Sequence, residues 1–220
     1  MKLIGASFVL VCDEIFTILE KGGVVFNNHE IISVGKYDEL AQKFSQTLQE
    51  LHFYDDCVLM PSLSNLHLHL EFSQNEGYLE FGDFGNWLNS VLTHRDTLMG
   101  EGLKDTIKSE IQQLLRSGVS FVGAISSYGY DLELLANSPL RVLYFNEVIG
   151  SNPEMLDSLW KNVLARFEDS KQFTSKKFFP TLAIHSPYSV HPALLKRVTT
   201  LAKEESLPLS VHFLESFQER

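Results

Sequence analysis

From residue 60 onward, short apolar runs alternate with amphipathic helical stripes, and few folds accept that rhythm. A strand–helix–strand succession calls for a parallel sheet with crossover connections. Leu63–Glu71 reads as a buried strand end, its apolar residues and histidines alternating on a two-residue period. Phe84, Trp87, Leu88, Val91, Leu92 and Leu98 then fall on one helical face. Leu103, Ile107, Ile111, Leu114 and Leu115 fall on the next, with Gly118 placed to stop it. Val119–Ile125 and Arg141–Ile149 read as the second and third strands, with a short helix at Asp131–Ala136 between them. Pro153 is predicted to open a helix whose stripe includes Leu156, Leu159, Trp160, Val163 and Phe167. Phe178–Ile184 is a fourth strand, Pro192 opens another helix, and Leu209–Leu214 is a fifth strand.

Residues 1–58 have a different character, and the predicted boundary separates them from 59–220. Leu3–Val11 and Ile15–Leu19 are short apolar runs. Gly22-Gly23 leads into Val24–Phe26, a turn at Asn27-Asn28, and Ile31–Gly35, which is a hairpin pattern. Tyr37–Phe44 suits a short helix and His52–Leu59 another strand, so this part is expected to be a small β-rich, sandwich-like domain. Five strand–helix units close no barrel and leave a strand of buried character as a bare edge. The expectation is an α/β fold in which the 220 residues are part of something longer.

Charge and cysteine content restrict the partners. A formal net charge of −10 disfavours nucleic-acid polymers and anionic membranes, which need a basic face. Cys12 and Cys57 are the only cysteines, which is no disulfide framework and favours a reducing, cytoplasmic compartment. The apolar start at Met1–Cys12 lacks a small-residue cleavage site and is followed by Asp13-Glu14, so it reads as a strand rather than a signal peptide.

The chemistry gathers on histidine. In a strand His67 and His69 share a face, and two imidazoles so placed can hold one metal ion. His185 lies at the end of the fourth strand and His212 in the fifth, so one mouth at the C-terminal strand ends could collect all four. His29, His52, His94 and His191 fall in turns, helices or edges and are read as structural or solvated. Glu215, three residues after His212, is placed to exchange protons with a water or substrate.

The segments Asn65–His69, Ile184–Tyr188 and Val211–Glu215, in that order, resemble the amidohydrolase superfamily. The likeness is to the branch holding chlorohydrolases and deaminases of adenosine-like compounds. It implies that His67, His69 and His212 bind one divalent metal, zinc first, with iron or nickel as alternatives. It implies that Glu215 shuttles protons and that His185 contacts substrate. Water activated by the metal would add to the amidine-like carbon of an aminopurine and ammonia would leave. The resemblance also implies a (β/α)8 TIM barrel, here truncated after about five strands, with a further histidine at a sixth strand, an aspartate at an eighth, and a homodimer of the full-length protein, so the 220 residues are expected to be inactive alone. Binuclear relatives carry a modified lysine where His185 stands, so one metal is expected rather than two.

Within that branch, His69–Ser73 followed by Gly85-Asn86-Trp87-Leu88 is most similar to the aminodeoxyfutalosine deaminases of the menaquinone pathway. Deaminases of S-adenosylhomocysteine and methylthioadenosine come next. The third-strand end offers Glu147 rather than an arginine, which disfavours a homocysteine tail and suits ribose hydroxyls. Trp87 is a candidate to stack on the purine. A chlorohydrolase-type amidohydrolase and a non-catalytic relative remain as other readings.

Overall fold

A computed structural model describes residues 1–28, 30–75 and 77–219, with the side chains of Thr97, Leu98 and Gln218 not described. His29, and Leu98 as a member of its helical stripe, therefore lie outside the described residues. The chain divides into two compact units, Met1–Ser62 and Leu63–Arg220.

The first unit is a four-stranded mixed sheet. Strands β1 (Lys2–Leu10), β2 (Ile18–Phe26), β3 (Ile31–Lys36) and β4 (Glu50–Leu59) lie in the order β3-β2-β1-β4. The β1–β2 and β2–β3 pairs are antiparallel and β1–β4 is parallel. Helix α1 (Tyr37–Lys43) sets Leu40 onto Leu3 and Val25. Of the sandwich-like unit expected here, the chain holds one sheet and one helix. Nor do the glycines separate two apolar runs, because β2 runs straight through Gly22-Gly23. A Cβ at Gly22 would lie 2.7 Å from Val9 Cγ2, so the residue marks a close approach inside the sheet rather than a turn.

The second unit is a five-stranded all-parallel sheet in the order β5-β6-β7-β8-β9. Its strands are β5 (Leu63–Leu68), β6 (Val119–Ser126), β7 (Arg141–Val148), β8 (Phe178–Ile184) and β9 (Leu209–Val211). The helices are α2 (Phe84–Leu98), α3 (Leu103–Arg116), α4 (Leu132–Ala136), α5 (Leu156–Lys171) and α6 (Pro192–Glu204). Pro153 opens a 3-10 turn, Pro153–Met155, that runs into α5.

Period-two alternation sorts the two faces of this sheet. Val142, Tyr144 and Val148 of β7, with Leu182 of β8, join helix residues such as Ile107, Phe167, Leu194 and Val198 in two buried clusters. Leu143, Phe145 and Ala183 lie on the opposite face with Ile125. Glu147 follows Leu143 and Phe145 on that inner face by the same period. Only the middle strands are well buried. β5 is an edge of this sheet, and Leu63 and Leu66 are about half exposed. β9 ends at Val211, earlier than predicted, which places His212 just past the strand.

Candidate functional site

The five strand ends converge on one cleft. β5 supplies His67 and, one residue past its end, His69. β6 ends next to Ser127, β7 carries Glu147, β8 ends next to His185 and β9 next to His212. The C-terminal ends of parallel strands are where helix N-termini and loops open a concave surface.

At β5 the backbone is irregular. The β5–β6 register shifts between Asn65 and Leu68, and the His67 N–H donates to Asn65 Oδ1 at 3.2 Å instead of joining the ladder. A Cβ at Gly123 would strike the Leu66 carbonyl, so glycine there lets the bulged strand close on β6. The irregularity does not part the two histidines, whose ring centroids are 5.2 Å apart.

His69 Nε2 lies 3.2 Å from His212 Nε2, and the His67 ring centroid is 4.7 Å from that of His212. One ring nitrogen of each of the three lies within 4.8 Å of the others. Hydrogen bonding fixes which nitrogen of His212 is free. Its Nδ1–H donates to the His185 carbonyl at 2.7 Å, which leaves the Nε2 lone pair facing His69. Nδ1 is also 3.7 Å from Glu147 Oε1, too far for a competing hydrogen bond. A tetrahedral cation with metal–nitrogen distances of about 2.0–2.1 Å separates two ligand nitrogens by roughly 3.3 Å, so the His69–His212 spacing fits.

Burial favours the neutral form of His69, His67 and His185, the form that donates a lone pair. It holds His69 down to about 3, with the charges of His212, His67 and His185 adding to the effect. It lowers His67 as well, followed by His212, against an opposing pull from Glu215. His185 is lowered to about 4, by burial and then by His212. His185 Nδ1 lies 2.7 Å from Ser189 Oγ, so Nε2 is its remaining nitrogen.

The cleft has a volume of about 350 Å³, within the range of small-molecule sites. Its apolar wall comes mainly from α2, through Phe84, Trp87, Leu88 and Val91, and Phe72 and Tyr188 also line it. His69, His185, His212, Glu147 and Glu215 all line it, whereas His67 stands outside the lining as an exposed residue. Glu147 is only 2 % exposed, and its Oε1 is buried with no hydrogen-bond partner. Burial pushes its pKa up, opposed by the Ser127 hydroxyl and the charge of His212. Glu215 is exposed and sits in a loop, not at the start of a helix. Leu214 before it adopts the left-handed φ of 56°, which costs a bulky residue roughly 1–2 kcal/mol.

Ser127, Tyr128 and Arg95 also line the cleft and were not among the residues singled out from the sequence. Arg95 lies eleven positions along α2 from Phe84, on the same stripe, and could have been read from the helical period. Ser127 and Tyr128 belong to the turn after β6, whose place is visible only once the strands pair. Of the remaining histidines, His191 caps α6 by accepting from Ala193 N–H at 3.1 Å, His52 lies in β4 and His94 in α2.

The family model described as "Amidohydrolase family" matches residues 58–220. The chain belongs to the amidohydrolase family. Among similar amidohydrolases, the aminodeoxyfutalosine deaminase of Nitratiruptor sp. is 42% identical over 208 residues, covering 93% of this chain and 50% of that protein. An adenosine deaminase of Helicobacter pylori is 38% identical over 218 residues, covering 99% and 52%. The crystal structure of Helicobacter pylori aminofutalosine deaminase in complex with methylthio-coformycin superposes with a TM-score of 0.91 at 38% identity, covering all of this chain and 52% of that one. The amidohydrolase chain thus spans about half the length of the relatives it matches. The α/β architecture is that of the first part of a (β/α) barrel preceded by a separate sheet.

Proposed function

We propose that the protein is a metal-dependent hydrolytic deaminase of an adenine-containing nucleoside, with 6-amino-6-deoxyfutalosine as substrate. The observation that carries the reading is the 3.2 Å approach of the His69 and His212 Nε2 atoms at the strand ends, with His67 beside them. Likeness to an aminodeoxyfutalosine deaminase at 42% identity supports the choice of substrate.

His67, His69 and His212 would hold the cation, and zinc suits three neutral imidazoles with a position left open. When bound, the cation supplies an activated water at neutral pH. Glu215, at the rim of the cleft, takes a proton from the water side and delivers it to a purine ring nitrogen, then helps ammonia leave. His185, with Nδ1 engaged by Ser189, offers Nε2 to the purine. Glu147 Oε1 accepts a ribose hydroxyl, and Trp87 stacks on the base from α2. A cytoplasmic homodimer is part of the same proposal. Among the described residues no helix is long and apolar enough to cross a membrane.

The test is ammonia release by the full protein from 6-amino-6-deoxyfutalosine, adenosine, methylthioadenosine and S-adenosylhomocysteine, before and after chelation and with zinc restored. Preference for the first substrate, abolished by chelation, is expected. Zinc-loaded protein that releases ammonia from none of the four contradicts the proposal.

A further inference from the structure

Glu71 is a deeply buried acid close after β5, and the reaction proposed above makes no use of it. It follows His69 by two residues, in the 3-10 turn Leu70–Asn75, and is 1 % exposed. Its carboxylate accepts three backbone N–H groups from one distant turn. Oε2 takes Ser127 N–H at 2.7 Å and Tyr128 N–H at 3.0 Å, while Oε1 takes Tyr130 N–H at 2.8 Å. Both oxygens act only as acceptors, which a carboxylate does and an amide cannot.

The turn that Glu71 grips leads straight to the cleft. The Ser127 hydroxyl donates to Glu147 Oε2. Arg166 braces the other side, donating through Nη1 to the Ser126 carbonyl at 3.0 Å and through Nη2 to the Glu147 carbonyl at 2.6 Å. With Oε2 held by Ser127, Glu147 keeps Oε1 free at the cleft. A continuous series of hydrogen bonds therefore joins the end of the histidine strand to the carboxylate assigned to the sugar.

We infer that Glu71 is a positioning residue: it clamps the turn after β6 so that Ser127 aims Glu147 at the ribose hydroxyls of the substrate. The inference rests on the proposed role of Glu147. Glu71→Gln turns an amide N–H2 toward backbone N–H donors and loosens the turn. Ser127→Ala leaves the clamp intact and cuts the link to Glu147.

The test uses the full, metal-loaded protein with a ribonucleoside substrate and its 2′,3′-dideoxy analogue. Both variants are expected to lose on the order of tenfold or more in kcat/KM on the ribonucleoside, one lost hydrogen bond's worth, and far less on the analogue. Joining the two substitutions should add little to Glu71→Gln alone, since both act through one series of contacts. Equal losses on the two substrates, or additive losses in the double variant, overturn the inference. Amide exchange gives a readout free of catalysis: Glu71→Gln should speed exchange at Ser127, Tyr128 and Tyr130 and leave β8 protected. Unchanged exchange at those three amides also overturns it. If Glu71→Gln fails to fold, Ser127→Ala carries the substrate comparison alone. Wild-type protein inactive on every nucleoside sinks the proposed function instead, and the clamp is then decided by the exchange result.

Discussion

Replacing Asp131 with asparagine should move the stability balance in the variant's favour as pH rises. Asp131 precedes α4 and is fully buried, with Oδ1 2.9 Å from the Tyr144 hydroxyl and Oδ2 without a partner. Burial first, then the charge of Glu71, raises its pKa from 3.8 to about 7, against the hydrogen bonds of Tyr144 and Ser126. The folded protein therefore keeps a proton that the unfolded chain has released between about pH 4 and pH 7. Linkage makes the group's contribution fall with rising pH across that window, absent below it and complete above it. The interval from 3.8 to about 7, at about 1.4 kcal/mol per pH unit, is on the order of 4 kcal/mol. Asparagine mimics the protonated acid, presenting an oxygen to Tyr144 and no charge. Its amide in the place of Oδ2 finds no acceptor, at a cost of about 1–3 kcal/mol that does not vary with pH. Urea unfolding of both proteins at pH 4, 6 and 8 checks this. The variant should be the less stable at pH 4 and gain on the wild type by several kcal/mol toward pH 8. A stability difference that stays flat over that range refutes the reasoning.

Other outcomes follow from the same structure. His69→Gln should lose the cation at every concentration that saturates the wild type, measured as metal per chain after dialysis; stoichiometric metal in the variant contradicts the assignment. Gly123→Val drives a branched side chain at the Leu66 carbonyl and should destabilise the sheet by about 1–3 kcal/mol, read by denaturant midpoint, with metal affinity falling alongside. Phe167→Ala empties a site 1 % exposed between α5 and the sheet and should cost about 3–5 kcal/mol, whereas a loss below 1 kcal/mol would mean the cluster collapses around it.

Much of the second unit was legible because its signals are local. The stripes of α3, α5 and α6 repeat every three to four residues, and β6, β7 and β8 appear as short apolar runs between them. Where prediction slipped, the cause was a neighbour in space. Gly22-Gly23 sits mid-strand because Val9 and Tyr37 crowd it across the sheet. β9 stops at Val211, the last residue paired with β8, because pairing and not composition ends a strand.

By itself the sequence determined which side chains could do chemistry and roughly which strand end each would occupy: His67, His69, His185, His212, Glu147 and Glu215. Only the tertiary structure decided that His69 and His212, 143 positions apart, face each other at 3.2 Å, and that Glu71 grips a turn 56 to 59 positions away. Periodicity is a property of neighbours along the chain. Sheet register, the β5 bulge and the tautomer fixed by the His185 carbonyl depend on groups that meet only after folding.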